Sequence, residues 1–281
     1  MFVLAIDTTT RAGSIALMRD LHLVDLFSGD PRRTHAERLP GDIIAVLNRL
    51  HLRVSDIHLY AVASGPGSFT GLRIGIATIQ GLAFANQRLV VPVGTLDALA
   101  CVGPGQAGTC AGEAGDARRD DLAASDPAAA GEDSRRVERP GDLVGVWMDA
   151  QRQEVFTALY RAAESSREAG TDAQVAEPEL VDPPRVEAPT AALERWARHV
   201  DDEGVRFIGD GAVAYARLIA ARFGASVSIV SPPPLAPAVA ALAVARAARG
   251  LAVAPHAIRP IYVRRPDAEL ARERTHEGQA R

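Results

Sequence analysis

The sequence predicts an α/β protein whose mixed sheets, flanked by helices, are arranged in two lobes. Three observations carry this. Short apolar runs bounded by turn formers alternate with helical periodicity from the N-terminus on, a long segment almost devoid of large aliphatics interrupts the pattern, and the alternation then resumes. The 281 residues, 47% of them hydrophobic, suffice for one large core or two modest ones.

The apolar runs at 2–6, 13–18 and 21–27 predict three opening strands. Leu39, Ile43, Val46, Leu47 and Leu50 recur at helical spacing and predict a helix over 36–50, with Pro40 in its first turn or at a kink. A strand at 58–63, a glycine-rich turn, a helix at about 70–85, a strand at 89–93 and a short helix from Thr95 follow. The order βββαβαβα suits a mixed sheet with helices against it, as in ribonuclease-H-like folds. These elements make a first lobe over residues 1–102.

Residues 103–141 hold only Leu122 and Val137 as large aliphatics, so they are expected to be a disordered insertion that buries too little apolar area to offset ordering entropy. A hairpin at 143–150 and 154–160 opens a second, smaller lobe over 142–235. It continues with a polar, proline-bearing stretch at 161–189, a helix around 191–199 and a strand at 206–208. The turn Gly209-Asp210-Gly211, a helix to about Phe223 and a strand at 226–230 complete it. The alanine-rich stretch 237–249 predicts a helix, and the segment 236–265 is expected to pack back on the first lobe. Residues 266–281 are charged and expected to fray.

Composition removes several function classes. All 31 basic residues are arginine, which excludes enzymes dependent on a phosphate-loop, kinase or Schiff-base lysine and also fits a GC-rich coding bias. A net charge of −4 offers no global field for a nucleic-acid backbone. Only Cys101 and Cys110 occur, so no disulfide framework or CxxC site is expected, and a cytoplasmic setting is. The N-terminus has no export signal and no apolar stretch reaches membrane-spanning length, so no membrane partner is expected.

Two motifs stand out. Asp7, Thr8 and Thr9 follow a buried strand and precede Gly13-Ser14, a hairpin able to face phosphate oxygens or equally an ordinary Asp-Thr turn. The block Gly65-Pro66-Gly67-Ser68-Phe69-Thr70-Gly71, with Arg73 after it, combines a strained turn with Ser68 or Thr70 as helix cap.

With LAIDTTT before it, GPGSFTGLRIG resembles the TsaB (YeaZ) family of bacterial tRNA-modification proteins, within the actin-like superfamily of sugar kinases and Hsp70 folds. THAERLP at 34–40, VGTLDALA at 93–100, Asp149-Ala150-Gln151-Arg152, Gly209-Asp210-Gly211 and PIYVR at 260–264 extend the likeness over most of the chain. The insertion at 103–141 departs from it. The resemblance implies a two-lobed actin-like fold and a part in making N6-threonylcarbamoyladenosine at tRNA position 37. It implies a non-catalytic partner of the catalytic paralogue TsaD, with a TsaE-type ATPase docking on the pair and tRNA held only through the complex.

The residues favour partner over catalyst. The catalytic paralogue uses a His-x-x-x-His pair, whereas His35 is followed by Leu39, so His35 is expected to be a capping or surface residue and no metal is expected. Asp7, Thr8, Thr9, Asp149, Gly209, Asp210 and Gly211 are read as vestigial nucleotide-fold turns, with ATP and metal expected on partner subunits. The expected partner interface comprises Leu39, Ile43, Val46 and Leu50 on the first helix and Ile74, Gly75, Ile76, Thr78, Ile79 and Leu82 on the second. Ala77 and Gly81 are further small residues of the second helix, and the same surface could form a homodimer. Arg264 and Arg265 are read as a solvated pair rather than a phosphate contact. The competing readings are a metallopeptidase of the older glycoprotease type, which lacks HExxH, and an actin-like small-molecule kinase or ATPase, supported by Asp7 alone.

Overall fold

The structure is a computed structural model that describes residues 1–103, 141–163, 176–200, 205–224 and 227–264. The insertion expected at 103–141 and the tail expected at 266–281 therefore lie, but for the ends of the insertion, outside the described residues.

The first lobe is a five-stranded sheet. Strands β1 (Phe2–Asp7), β2 (Ser14–Arg19) and β3 (His22–Ser28) run antiparallel, and β4 (Leu59–Gly65) and β5 (Val90–Gly94) add parallel to β1, in the order β3-β2-β1-β4-β5. The second lobe repeats this plan with β6 (Leu143–Asp149), β7 (Val155–Arg161), β8 (Glu179–Glu187), β9 (Val205–Ile208) and β10 (Ser228–Val230), ordered β10-β9-β6-β7-β8. Read outward from β1 and β6, both sheets place two antiparallel strands on one side and two parallel strands on the other.

Helices α1 (His35–Arg49) and α2 (Phe69–Ala85) lie side by side against the outer face of the first sheet. Thr34 caps α1 in a reciprocal box with Glu37, and Pro40 falls in the second turn rather than the first. Between the sheets lie α3 (Thr95–Ala100) and α7 (Ala236–Ala248), and one apolar core runs through Ala5, Ala61 and Val91 of the first sheet to Val146 and Ala158 of the second. Alanines on α7 let its backbone approach both β1 and β2 closely.

Across the base of the lobes, the Tyr160 hydroxyl donates to Asp97 Oδ1 at 2.8 Å and Arg246 donates to Oδ2 of the same carboxylate at 3.0 Å. Burial, reinforced by the Asp97 charge, pushes the Tyr160 hydroxyl far above its ordinary value, so it stays a donor. A separate aromatic core of Trp147, Trp196 and Phe207 packs α4 (Pro189–Trp196), α5 (Asp210–Ala214) and α6 (Ala216–Phe223) on the outer face of the second sheet.

Two expectations change here. The stretch at 161–189 contains β8, an edge strand carrying Pro183 and Pro184, residues tolerated where one side of a strand has no ladder partner. The single helix expected through Phe223 is two, broken at Tyr215, whose backbone leaves the helical region.

Candidate functional site

Two features gather the residues singled out in the sequence: a cleft between the lobes and the solvent side of α1 and α2.

The first hairpin and the glycine-rich turn meet at the cleft. Thr8 sits under α2, its hydroxyl donating to the Gly71 carbonyl at 2.8 Å, and a Cβ at either Gly71 or Gly75 would run into Thr8. The Ser68 amide donates to the Thr9 carbonyl at 2.9 Å, while Ser68 Oγ caps α2 by accepting from the Gly71 amide at 3.2 Å. The block Gly65-Pro66-Gly67-Ser68 thus clasps the Asp7–Thr9 turn, a packing duty that accounts for its small residues.

Asp7 is buried, and its Oδ1 accepts from both the amide and the hydroxyl of Thr9, at 2.9 and 2.6 Å. Burial pushes its carboxyl above the ordinary 3.8, outweighing the opposing hydrogen bonds from Thr9. Stability contributed by the protonated form is therefore complete below the unfolded value and lost as pH rises through the folded one. Asp7→Asn, which keeps the acceptor without the charge, is expected to raise Tm at about pH 7 and leave it unchanged near pH 3, as thermal melts at the two pH values will show.

The second-lobe turns have the same internal economy. Asp149 Oδ1 accepts from the Gln151 amide at 2.8 Å, and Asp210 Oδ1 accepts from the amides of Asp149 and Gly211 at 3.0 and 2.9 Å. Gly209 has φ +126°, and a Cβ there would strike the Trp147 carbonyl. Each turn that could face an anion already holds a carboxylate of its own. The cleft comprises cavities of about 460 and 780 Å³, walled by Thr9, Thr10, Met148 and Asp210 in both, with Phe69, Gln151 and Tyr262 in the larger. Among the described residues no group of three or more His, Cys, Asp or Glu side chains could hold a metal ion.

His35 is neither cap nor surface residue. Thr34 is the cap, and the buried His35 ring meets the Thr10 carbonyl at 2.8 Å through Nε2 and Arg38 at 3.0 Å through Nδ1. A carbonyl only accepts, so Nε2 carries the proton and Nδ1 takes Arg38's hydrogen. Arg38, itself buried, also binds the Ala12 carbonyl and pairs with Asp42 at 2.7 Å, tying the first hairpin to α1. Arg264 is also not solvated: it donates to the Ala150 carbonyl at 2.6 Å and pairs with Glu154, whereas Arg265 lies outside the described residues.

The expected interface divides sharply. Leu39, Ile43, Val46, Ile76 and Ile79 are buried in the first lobe's own core and Gly75 is buried against Thr8, so none of these six offers surface to a partner. Leu50, Ile74, Thr78 and Leu82 are half-buried at its margin. The solvent side includes instead Gly41, Ile44 and Ala45 on α1 and Ala77, Gly81 and Phe84 on α2, beside exposed Glu37, Asn48, Arg49 and Arg73, with Phe84 79% exposed. Phe84 escaped the sequence reading because α2 is apolar over most of its circumference, which leaves the phase of its buried side undetermined, and Ile44 because it lies outside the apolar stripe of α1. The buried series Leu72, Ile76, Ile79 and Ala83 fixes that phase.

A family model described as "TsaD: tRNA N6-adenosine threonylcarbamoyltransferase" matches residues 30–272. The chain belongs to the TsaD family. Among relatives, the TsaB proteins named for tRNA threonylcarbamoyladenosine biosynthesis in Haemophilus influenzae and Escherichia coli are 38% and 40% identical over 101 and 100 residues. These matches cover 35% and 36% of this chain and 41% and 43% of the relatives, so the similarity spans less than half of either relative's length. The solved structure of YeaZ from Pseudomonas aeruginosa is similar over 93% of this chain and 99% of its own, at 26% identity and a TM-score of 0.63. Within the TsaD family the chain is therefore similar to TsaB (YeaZ) proteins, and it has the two-lobed α/β fold that the sequence motifs implied. Among the described residues no helix is long and apolar enough to cross a membrane.

Proposed function

We propose that this chain is the non-catalytic, cytoplasmic partner subunit that a TsaD-type paralogue requires to form N6-threonylcarbamoyladenosine at tRNA position 37. The observation that carries the proposal is the solvent side of α2, where Ala77, Gly81 and the largely exposed Phe84 are uncovered among the described residues. A Cβ at Gly81 would meet nothing within 4 Å, so another helix has room to approach to backbone contact there. Contiguous exposed apolar patches mark protein contact surfaces. The names borne by the relatives supply the chemistry of the assembly.

In this reading ATP and metal belong to the partner subunits. The self-satisfied turns at Asp7, Asp149 and Asp210 support that, because a phosphate entering the cleft meets carboxylates where it needs free amides. A TsaE-type ATPase docks on the pair, tRNA is held by the whole complex, and a second copy of the chain pairs through the same helices when the paralogue is absent. Reconstitution tests the proposal: with tRNA, threonine, bicarbonate, ATP and the cognate enzymes, leaving out this chain is expected to abolish modified-nucleoside formation. Full formation without it rejects the assignment.

A further inference from the structure

We propose that Ile261–Arg264 is a strap across the open end of the interlobe cleft, holding the two lobes at one separation. Beyond α7 the chain returns along the edge of the first sheet, where Val253 pairs with Val90, and then buries Ile258 in the first lobe's outer core. The Ile261 amide donates to the Ser64 carbonyl at 2.7 Å, an approach possible because Gly65 has no Cβ to meet the Ile261 carbonyl. The Tyr262 ring lies 5.4 Å from that of Phe69, and its hydroxyl accepts from Arg73 Nε at 3.3 Å. Two residues later the chain grips the other lobe, where Arg264 binds the Ala150 carbonyl and Glu154 beneath its guanidinium, with Phe156 5.8 Å away.

The opposite end of the cleft is fused. There α3 and α7 share one core with both sheets, and Asp97 joins Tyr160 to Arg246. A two-lobed body joined only at its base opens as a hinge, and a second tether at the mouth removes that freedom. Residues 261–264 also line the larger cavity, so lifting them widens the cleft and uncovers its walls in one movement. What must be released is one main-chain hydrogen bond, two side-chain hydrogen bonds, one tilted ring contact and one partly exposed ion pair, all of which can open without melting either core. The β6–β7 hairpin that receives Arg264 is unusual in itself: Gln151, Arg152 and Gln153 all have φ near +60°, at 60°, 57° and 61°.

Amide hydrogen exchange on the full chain separates a strap from two unrelated local contacts. Arg264→Ala cuts the second-lobe anchor, and Tyr262→Ala weakens the first-lobe one by removing its side-chain contacts with Phe69 and Arg73. A strap predicts that each variant raises exchange tenfold or more on both sides of the cleft. The responsive amides are those of Ser68 and Ile261 in one lobe and of Ala150 and Glu154 in the other, with the β1 and β6 amides unchanged. Changes confined to the lobe whose anchor was cut, or no change in either variant, overturn the proposal. Arg264→Lys, which keeps the charge but loses the two-pronged grip, replaces the alanine variant if core exchange shows that Arg264→Ala has unfolded.

Discussion

Arginine in place of Ala77, or glutamate in place of Phe84, is expected to abolish co-purification with the TsaD-type partner while shifting Tm by no more than about 2 °C. Both side chains project from the solvent side of α2, so neither substitution buries a charge in the isolated chain. In the complex the same charge has to be desolvated between closely packed helices, and arginine at Ala77 also holds those helices apart. Unpaired charges in helix interfaces cost several kcal/mol, and about 2.7 kcal/mol already weakens binding a hundredfold. Affinity capture with tagged partner, beside thermal melts of the free variants, measures both halves of the expectation. If both variants bind like wild type, the face is not the contact surface.

Glutamate at Ile79 is expected to do the reverse, destroying the fold rather than the contact. Ile79 is fully buried in the core that α1 and α2 build on β1 and β4. The substitution forfeits about 1.5–3 kcal/mol of apolar burial and forces a carboxylate into a site without a partner, at several kcal/mol more. Against a total stability of about 5–15 kcal/mol, that loss leaves little folded protein. Circular dichroism and urea unfolding check this directly, and a cooperative transition at the wild-type midpoint refutes the burial argument. The sequence reading placed Ile79 and Ile76 in the partner interface, where such a change would spare the fold and disrupt binding instead. The difference is one of helix phase, not of helix existence.

Much of the fold was legible because local signals agreed with it. Strands β1 and β4 are buried along almost their whole length and read as continuous apolar runs, and α1 shows one clean apolar stripe. The turn from Gly65 to Gly71 announced itself by composition, and the cap predicted at Ser68 or Thr70 is Ser68. Strand β8 was hidden by its chemistry: Pro183, Pro184 and four charged residues look like a loop, and only β7 makes them a strand. Its buried Asp182 is tolerated because Arg195 pairs with it and Trp196 Nε1 donates to it at 2.9 Å, both from a helix that the sequence does not place beside it. The break at Tyr215 carries no glycine or proline to announce it.

The sequence by itself determined the two-lobed α/β architecture, the family to which the motifs point and the absence of a second helical histidine beside His35. Those properties rest on patterns within a few consecutive turns, where spacing alone sets which residues share a face. Only the tertiary structure decided which side of α2 meets solvent, that Arg38 packs beside His35, and that Arg264 reaches across the cleft to Glu154. Each of these depends on contacts between segments far apart in the chain, and a largely apolar helix or a lone arginine carries no local mark of the partner it will find.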